Sequence, residues 1–447
     1  MRARFTTRIG VIAASVGSAV GLGNIWRFPY EAGTHGGGAF MLCYLFFIFA
    51  IGVPVIIAEF VMGRGTRSGI FGAYRTLAPR GQWHVVGYLG ILASMMILSF
   101  YSVVAGWTME YFVQSLAGTL DMASMADYHA RFDEFSTGTW RPLLWTVVFL
   151  LVNYAILLRG VTRGIERASN ILMPVLFVLL LVFCCFSLTL PKASEGLGFL
   201  FNPDFSKLTP TVVLSAMGQA FFSLSLGLGC MLTYASYFCD TTRIVRSANT
   251  IALLDTLVAV LAGVIIFPAV FSFGASPAAG PTLVFEVLPN IFHQLPGGVV
   301  WSTLFFALLI VASLTSTISM SEISIAFFTE QGHMTRPRAV TLNTAIAIVF
   351  GCLCALSFGP LGNLTVGGLT IFGLFDYVTS NVLLPLGGMV VSVFVGWKVS
   401  RSFLEAQLNA GCRRPLPKAL VNTIVVCLRY VAPAGIALVF LNVTGVI

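Results

Sequence analysis

Glycines and small polar residues interrupt two otherwise strongly apolar stretches of this chain. The first interruption is Gly17-Ser-Ala-Val-Gly-Leu-Gly-Asn24, and the second is Ser223-Leu-Ser-Leu-Gly-Leu-Gly229. A helix that unwinds in lipid frees N–H and C=O groups, which is tolerated only where the backbone lines a protein cavity. Half-helix N-termini then present a positive dipole end to an anion, and unwound carbonyls present oxygens to a cation. This layout suits an amino-acid zwitterion together with a sodium ion.

The glycines could instead serve only to let helices pack closely. Four ionisable residues inside the apolar stretches bear on this choice, because a charge within a membrane span is a functional candidate by default. They are Arg27, Asp255, Glu322 and Asp376. For each of them a structural ion pair or a water-lined wall is the alternative, and for Glu322 that alternative is as well supported as a functional role. The presence of two matched interruptions favours a binding site.

The composition requires that most of the chain be solvated by lipid. Of 447 residues, 57% are hydrophobic and only 9% are charged, whereas soluble proteins carry roughly a quarter charged residues. The net charge of +8 comes from short clusters between apolar runs. Nucleic acid is therefore not an expected partner, since its binding needs one basic stripe or patch. The five histidines do not cluster, which argues against an enzyme, and no repeated pore filter indicates a channel.

Eleven apolar stretches are long enough to cross a bilayer, which takes about 20 residues per helix. We number them spans 1 to 11, and they lie near residues 9–34, 38–62, 84–117, 141–158, 166–190, 211–239, 247–274, 298–330, 338–358, 365–398 and 419–444. Lys and Arg are concentrated in alternate connections, beginning with the N-terminal segment, and are few in the others. The positive-inside rule therefore predicts a cytoplasmic N-terminus and an external C-terminus. We expect a multi-pass protein of the bacterial inner membrane.

The interrupted stretches are spans 1 and 6. Because they are five spans apart, they run in opposite directions, and paired interruptions in corresponding positions indicate inverted repeats. The prediction is a first five-span repeat in residues 1–190 and a second, inverted one in residues 191–400. A loop and span 11 follow in residues 401–447. The connections at 118–140 and 191–210 are long enough for short external helices.

Six segments in colinear order resemble the neurotransmitter:sodium symporter family, and within it the bacterial amino-acid branch. They are Gly17–Pro29, His35–Phe40, Glu59–Arg64, Ser99–Trp107, Gly218–Gly227 and Ser313–Thr317. The resemblance covers essentially the whole chain. It implies an all-α polytopic membrane protein with the leucine-transporter fold, a 5+5 inverted repeat with broken spans 1 and 6. It also implies sodium-coupled uptake of amino acids.

The same resemblance implies two sodium sites. The first would use the Ala19 carbonyl, Asn24, Ser223, Asp255 and the carboxylate of the substrate. The second would use Gly17, Val20, Ala312, Thr315 and Ser316. Sodium is a hard cation that prefers oxygen ligands, and these residues supply them.

For the substrate, the resemblance implies that its carboxylate meets the N–H groups of Leu22 and Gly23 and the Tyr101 hydroxyl. The amine would meet carbonyls of Ala19, Phe222 and Ser223 and the Ser225 hydroxyl. The expected side-chain pocket consists of Ser18, Ile97, Val104, Phe222, Ser225, Leu228, Ser316 and Met320. Phe222 and Tyr101 would form a lid over the substrate.

Two gates are also implied by the resemblance. Arg27 and Asp376 would close the outer one. Arg2 and Glu330 would close the inner one, helped by Phe5.

Two departures from the family pattern concern charge. Monoamine members carry an acidic residue where this chain has Gly21, so we expect a substrate that brings its own carboxylate. Chloride-dependent members hold chloride with a Tyr, Gln and Ser set, which Tyr44, Gln219 and Ser223 match in part. Asp255, however, takes the place of the usual Asn, and Ala259 lies one helical turn later. We therefore expect two sodium ions and no chloride.

The predicted function is sodium-coupled symport of neutral hydrophobic or aromatic L-amino acids. The alternative is a membrane amino-acid sensor on the same scaffold. The expected partners are the amino acid, sodium and the lipid bilayer, with no obligate protein partner.

Overall fold

The computed structural model describes residues 5, 7–120, 122, 124–277 and 284–443, and this part of the chain is built from helices and their connections. Nine helices in it are long and apolar enough to cross a membrane. They are span 2 (Gly38–Thr66), span 3 (Val85–Leu116), span 4 (Trp140–Leu158), span 5 (Val161–Ser187), span 7 (Ile244–Ser272), span 8 (Gly298–Glu330), span 9 (Arg336–Leu356), span 10 (Ile371–Lys398) and span 11 (Lys418–Leu438).

Span 1 is the tenth, and it is broken. Its halves, Gly10–Ala19 and Gly23–Thr34, are bent by 48° at the break. The first half begins after Thr7, whose hydroxyl accepts a hydrogen bond from Gly10 N at 2.9 Å. Such an N-cap satisfies one of the free N–H groups at a helix start.

Span 6 is broken as well. It consists of the helices Pro210–Ser223 and Cys230–Ala235, and the second has only 6 residues. Thr209 caps the first helix, and Pro210 occupies its first turn, where its missing N–H costs nothing. The second half is too short to count as a span by length, so ten spans are found in the described residues and the total of eleven stays a prediction.

The largest differences from the predicted span starts are in spans 10 and 5. Span 10 begins at Ile371 rather than near 365, because Gly367 and Gly368 have positive φ and form a tight turn closed by the Val366–Leu369 bridge. Span 5 begins at Val161 rather than near 166, with a π-helical first turn. The predicted external helices are present as Met125–Thr137 and Ala193–Phe201.

Burial separates a central helix from a peripheral set. In span 3, 78% of the most apolar 18-residue stretch is buried inside the protein, whereas in spans 4, 5 and 11 the corresponding share is 33%. The peripheral helices carry exposed Leu, Val and Ile side chains, the surface that lipid covers. Span 3 therefore belongs to the core, where it lies beside the break in span 1.

Candidate functional site

The break in span 1 lies between spans 3 and 8. Val20 is extended (ψ 119°), and the helix resumes at Gly23 with a π-helical turn, a form often found at functional sites. Leu22 N donates to the Tyr101 hydroxyl of span 3 at 2.8 Å. The Ser316 hydroxyl of span 8 donates to Val20 O at 3.0 Å. The freed backbone groups thus meet polar side chains of neighbouring spans.

Gly21 lies at the point of closest approach. A Cβ atom on it would lie 2.4 Å from Ser316 Oγ and 2.7 Å from the Tyr101 hydroxyl oxygen. Both distances are far below van der Waals contact, so any side chain at this position would require Ser316 and Tyr101 to shift.

The break in span 6 is a turn with left-handed residues. Ser225, Gly227 and Gly229 have φ of 51°, 82° and 81°, which glycine adopts freely and serine does not. A Cβ on Gly227 would lie 2.5 Å from Leu384 O, so the turn packs directly against the backbone of span 10. The Ser225 hydroxyl donates to Ser18 O at 3.4 Å, which joins the two breaks.

Asn24, Ser223 and Asp255 form one fully buried polar cluster. Asn24 Nδ2 lies 2.8 Å from Asp255 Oδ1 and 2.9 Å from Ser223 Oγ. Ser223 Oγ donates to Asp255 Oδ2 at 2.5 Å, and Tyr44 contacts Ser223 Oγ at 3.1 Å. The cluster gathers a carboxylate, a hydroxyl and an amide from spans 1, 6 and 7. The carboxylate and hydroxyl oxygens suit a hard cation, whereas Asn24 turns its amide nitrogen toward them and its amide oxygen accepts a hydrogen bond from Gly21 N at 3.1 Å.

The second set predicted for sodium is also brought together. A Cβ on Gly17 would lie 3.2 Å from Thr315 Cβ, so the first half of span 1 packs on span 8 at this level. Thr315 Oγ1 donates to Ala312 O at 2.9 Å, and Ser316 reaches Val20 O. These residues are buried, and they offer two hydroxyls beside backbone carbonyls.

A small cavity of about 20 Å³ lies between the two breaks. It is lined by Ala19, Gly21, Gly23, Ile97, Tyr101, Phe222, Ser225, Leu228, Ser316, Met320 and Leu384. Two residues predicted for the side-chain pocket do not line this cavity. Val104 lines a second, larger cavity described below. The Ser18 carbonyl accepts a hydrogen bond from Ser225, and the buried Ser18 hydroxyl has no hydrogen-bond partner within the described part of the chain. Leu384 of span 10 was missed, since nothing distinguishes one leucine in an apolar span.

A larger cavity of about 360 Å³ lies above it, and both Arg27 and Asp376 line this outer cavity. Phe222 and Tyr101 line both cavities and separate them, as expected of a lid. Arg27 forms its ion pair with Glu31 at 3.6 Å rather than with Asp376, and its guanidinium lies 4.3 Å from the Phe222 ring centroid. The predicted gate residues therefore face one cavity without pairing.

Glu31 was not singled out from the sequence. It accepts hydrogen bonds from Ser215 Oγ at 2.7 Å and from the Tyr30 hydroxyl at 3.0 Å. His35 Nδ1 lies 3.3 Å from its second oxygen. An acidic residue four positions after Arg27 on a helix was the available signal.

At the inner end, Glu330 accepts hydrogen bonds from Gly69 N at 2.9 and 3.1 Å. Phe5 is buried and packs edge-on against Tyr234 and Tyr237. Arg2 lies outside the described residues. Glu322 forms two hydrogen bonds with Arg336, at 2.8 and 2.9 Å, so the ion-pair alternative describes this residue.

Glu59 of span 2 is fully buried and holds the second half of span 6. Its carboxylate accepts from Gly227 N at 2.9 Å and from Leu232 N at 3.0 Å. Both N–H groups belong to the turn or to the helix start that follows it, where intrahelical partners are lacking. The sequence signal for this role is an acidic residue within an apolar span.

In the described residues, nine continuous spans surround span 1 and span 6, which are broken side by side next to buried polar clusters. This arrangement defines a membrane transporter of the inverted-repeat class. The comparisons with known proteins agree. The model of the Sodium:neurotransmitter symporter family matches residues 2–137 and 133–446. The chain belongs to this family, whose members are sodium-dependent symporters and not enzymes.

Several relatives match nearly end to end. An uncharacterized sodium-dependent transporter of Bacillus subtilis, YhdH, is 41% identical over 444 residues, covering 99% of this chain and 98% of the relative. An uncharacterized sodium-dependent transporter of Haemophilus influenzae is 34% identical, with 99% and 98% covered. The crystal structure of MhsT in complex with L-phenylalanine matches with a TM-score of 0.92 and 42% identity, covering 99% of this chain and 100% of that one. This confirms the leucine-transporter fold.

Proposed function

We propose that this protein imports neutral hydrophobic or aromatic L-amino acids together with sodium, by alternating access. The small cavity between the two helix breaks carries the proposal. It lies between the helix ends that the two breaks create, and Ile97, Leu228 and Met320 give it apolar walls. Helix ends suit the two charges of a zwitterion, and the walls suit an uncharged side chain.

The crowding at Gly21 supports a substrate that carries its own carboxylate. An acidic side chain at this position would clash with Ser316 and Tyr101, so the protein does not supply the anion there. The N-terminal end of the second half of span 1 offers N–H groups and a positive dipole to a carboxylate instead. MhsT, with 42% identity, was solved with L-phenylalanine.

The size of the cavity implies that side chains move when the substrate enters. About 20 Å³ holds roughly one water molecule, which is much less than a leucine or phenylalanine side chain. Met320 has several rotatable bonds and adapts its shape easily. Phe222 separates the cavity from the much larger outer one, so its displacement joins the two.

Two sodium ions are proposed to bind with the substrate, as its co-transported partners. The first would bind at Ala19, Asn24, Ser223 and Asp255, and the second at Gly17, Val20, Ala312, Thr315 and Ser316. The close packing of the breaks against Asp255 and Thr315 supports these positions. Because the first site also involves the substrate carboxylate, binding of sodium at that site and binding of the substrate favour each other.

We further propose that transport does not depend on chloride. Asp255 places a fixed negative charge beside the first ion site, 2.5 Å from Ser223 Oγ. A fixed carboxylate removes the need for a bound anion at this place. The membrane is proposed to be the bacterial inner membrane, with the N-terminus inside and the C-terminus outside. The repeats are proposed at 1–190 and 191–400, followed by 401–447.

Uptake by proteoliposomes tests the proposal. Radiolabelled leucine, phenylalanine or tryptophan should accumulate when an inward sodium gradient is imposed, and gluconate in place of chloride should change nothing. Lysine and glutamate should compete poorly. Sodium-independent binding without uptake would overturn symport and favour a sensor. A collapse of uptake in gluconate would overturn chloride independence alone.

A further inference from the structure

A group of cationic and aromatic side chains lies where the end of span 10 meets span 11. We call Trp397, Lys398, Arg429 and Tyr430 the Arg429 patch. Arg429 Nε donates to Gly396 O at 2.5 Å, and its guanidinium carbon lies 5.3 Å from the Trp397 ring centroid. Trp397 Nε1 donates to Arg429 O at 3.3 Å, and the Trp397 and Tyr430 rings meet edge-on at 5.5 Å. Trp397, Arg429 and Tyr430 are thus directly connected, and Lys398 is the next residue after Trp397.

The positive charges of the patch lack an acidic partner among the residues that the structure describes. No carboxylate lies within 4.0 Å of the charged nitrogens of Arg429 or Lys398 there. Glu405, on the adjoining helix Arg401–Asn409, pairs with Arg401 at 2.8 Å instead. Arg429 lies within the apolar helix Lys418–Leu438, so lipid surrounds this part of the chain. An uncompensated cation in such surroundings is costly.

The aromatic members of the patch are turned outward. Trp397 is 57% exposed and Tyr430 is 55% exposed, although both are large and mostly apolar. Trp and Tyr are typical of the level at which lipid headgroups meet the acyl chains. A soluble anion would have no need of these exposed rings, whereas a phospholipid contacts both the charge and the rings.

We propose that the Arg429 patch binds the phosphate of an anionic phospholipid, in the leaflet facing the inner ends of spans 10 and 11. The guanidinium is held by the Gly396 carbonyl through Nε, which leaves its terminal amino groups for a phosphate, a pairing that is favoured by geometry as well as charge. Lys398 adds a second cation at the end of span 10. The expected ligand class is a diacyl phospholipid with net negative charge, such as phosphatidylglycerol.

Quenching of Trp397 fluorescence by brominated lipids tests this in the full-length protein. The chain has seven tryptophans, so the Trp397 signal is taken as the difference between wild type and Trp397→Phe, measured in each background. Brominated phosphatidylglycerol should bind the site more tightly than brominated phosphatidylcholine. Each basic residue that contacts the lipid should add a factor of about five, since one basic residue near an anionic surface contributes about 1 kcal/mol. Inorganic phosphate should not displace the lipid.

The variants separate the patch from general surface charge. Arg429→Gln should bring the preference for phosphatidylglycerol down by about fivefold, and Arg429→Lys should restore part of it. Arg401→Gln is the matched control, because Arg401 lies on the same side but is paired with Glu405, and it should keep the preference. If Arg429→Gln folds poorly, the same comparison is made with Lys398→Gln.

Three outcomes would overturn the proposal. Equal quenching by both lipids in wild type would mean that the patch does not select charge. An unchanged preference in Arg429→Gln would place the selectivity elsewhere. Protection of Trp397 from both lipids, together with cross-linking between copies at this position, would mean that a second copy of the chain covers the patch. None of these measurements depends on transport, so they stand apart from a test of the proposed substrate.

Discussion

Gly21 is the residue at which the site leaves the least room. We expect Gly21→Ala to raise the KM for the amino acid by about 5- to 150-fold, because overpacking a tight site costs roughly 1–3 kcal/mol. The added methyl group would displace Ser316 or Tyr101, which contact the break. Sodium-dependent uptake measures the effect. Gly218→Ala is the control, because a Cβ there meets nothing within 4 Å; an equal loss in both variants would contradict the argument.

Asp255 carries the charge that we assign to the first sodium site. Asp255→Asn should weaken apparent sodium affinity by at least about tenfold, as removal of one partner from a buried charged cluster costs roughly 2–5 kcal/mol. The dependence of uptake on sodium concentration measures this. Asp204→Asn, at an exposed turn, should leave sodium dependence unchanged. Unaltered sodium affinity in Asp255→Asn would remove Asp255 from the ion site.

His35 lies just beyond the end of span 1 and pairs with Glu31. The hydrogen bond that His35 donates to the Glu31 carboxylate raises the pKa of His35 above its usual 6.5. Because the pKa is raised in the folded state, the protonated pair contributes its whole stabilisation below about pH 6.5. This stabilisation is lost as pH rises through the folded pKa of His35. We expect His35→Asn to lower the melting temperature at pH 5.5 to 6. The corresponding loss in the free energy of unfolding should be less than about 1 kcal/mol, because the pair is partly exposed. The difference should shrink as pH rises through the folded pKa of His35, and a pH-independent difference would contradict the assignment.

At the scale of the element, the breaks in spans 1 and 6 follow from physics visible in the sequence. Glycines beside polar residues inside an apolar run have few structural uses, and their spacing predicted both breaks. The partners of the breaks were harder to predict. Leu384 lines the central cavity only because Gly227 lets span 10 approach, and no local pattern encodes that contact. Span 10 begins after its predicted start because a glycine turn precedes it. The hydropathy of the sequence does not distinguish an apolar turn from an apolar helix.

Glu59 shows how one element depends on another. Its carboxylate is the acceptor for two N–H groups at the break in span 6. Glu59→Gln should destabilise the protein by about 1–3 kcal/mol, because the amide nitrogen would face one of these donors and leave it unpaired. Thermal unfolding in detergent measures this. Glu405→Gln, in a surface ion pair with Arg401, should change stability by less than about 0.5 kcal/mol. Equal stability of Glu59→Gln and wild type would show that the turn does not need Glu59.

At the scale of the whole molecule, the two cavities differ greatly in size, and only one end of the molecule is open in the described residues. The outer cavity is about 360 Å³, while the substrate cavity beneath Phe222 and Tyr101 is about 20 Å³. The gate residues Arg27 and Asp376 line the large cavity without forming an ion pair. At the other end, Glu330 is bound to Gly69 N, and Phe5 is packed between tyrosines. In the proposed orientation, this arrangement is closed at the cytoplasmic end and accessible from the opposite end.

Alternating access predicts that sodium and substrate together close this outer cavity. A cysteine at Phe358, which lines it, should react with an impermeant thiol reagent in sodium alone. Adding phenylalanine should slow the reaction by at least about tenfold, which corresponds to a shift of about 1.4 kcal/mol in the population of the open state. The native cysteines are corrected for by subtracting the reaction of the parent protein. Trp140→Cys, at a position that is 80% exposed, should react equally fast in both conditions. A Phe358→Cys rate that substrate leaves unchanged would mean that binding does not close the outer side, and that the cavity is a fixed feature of the fold.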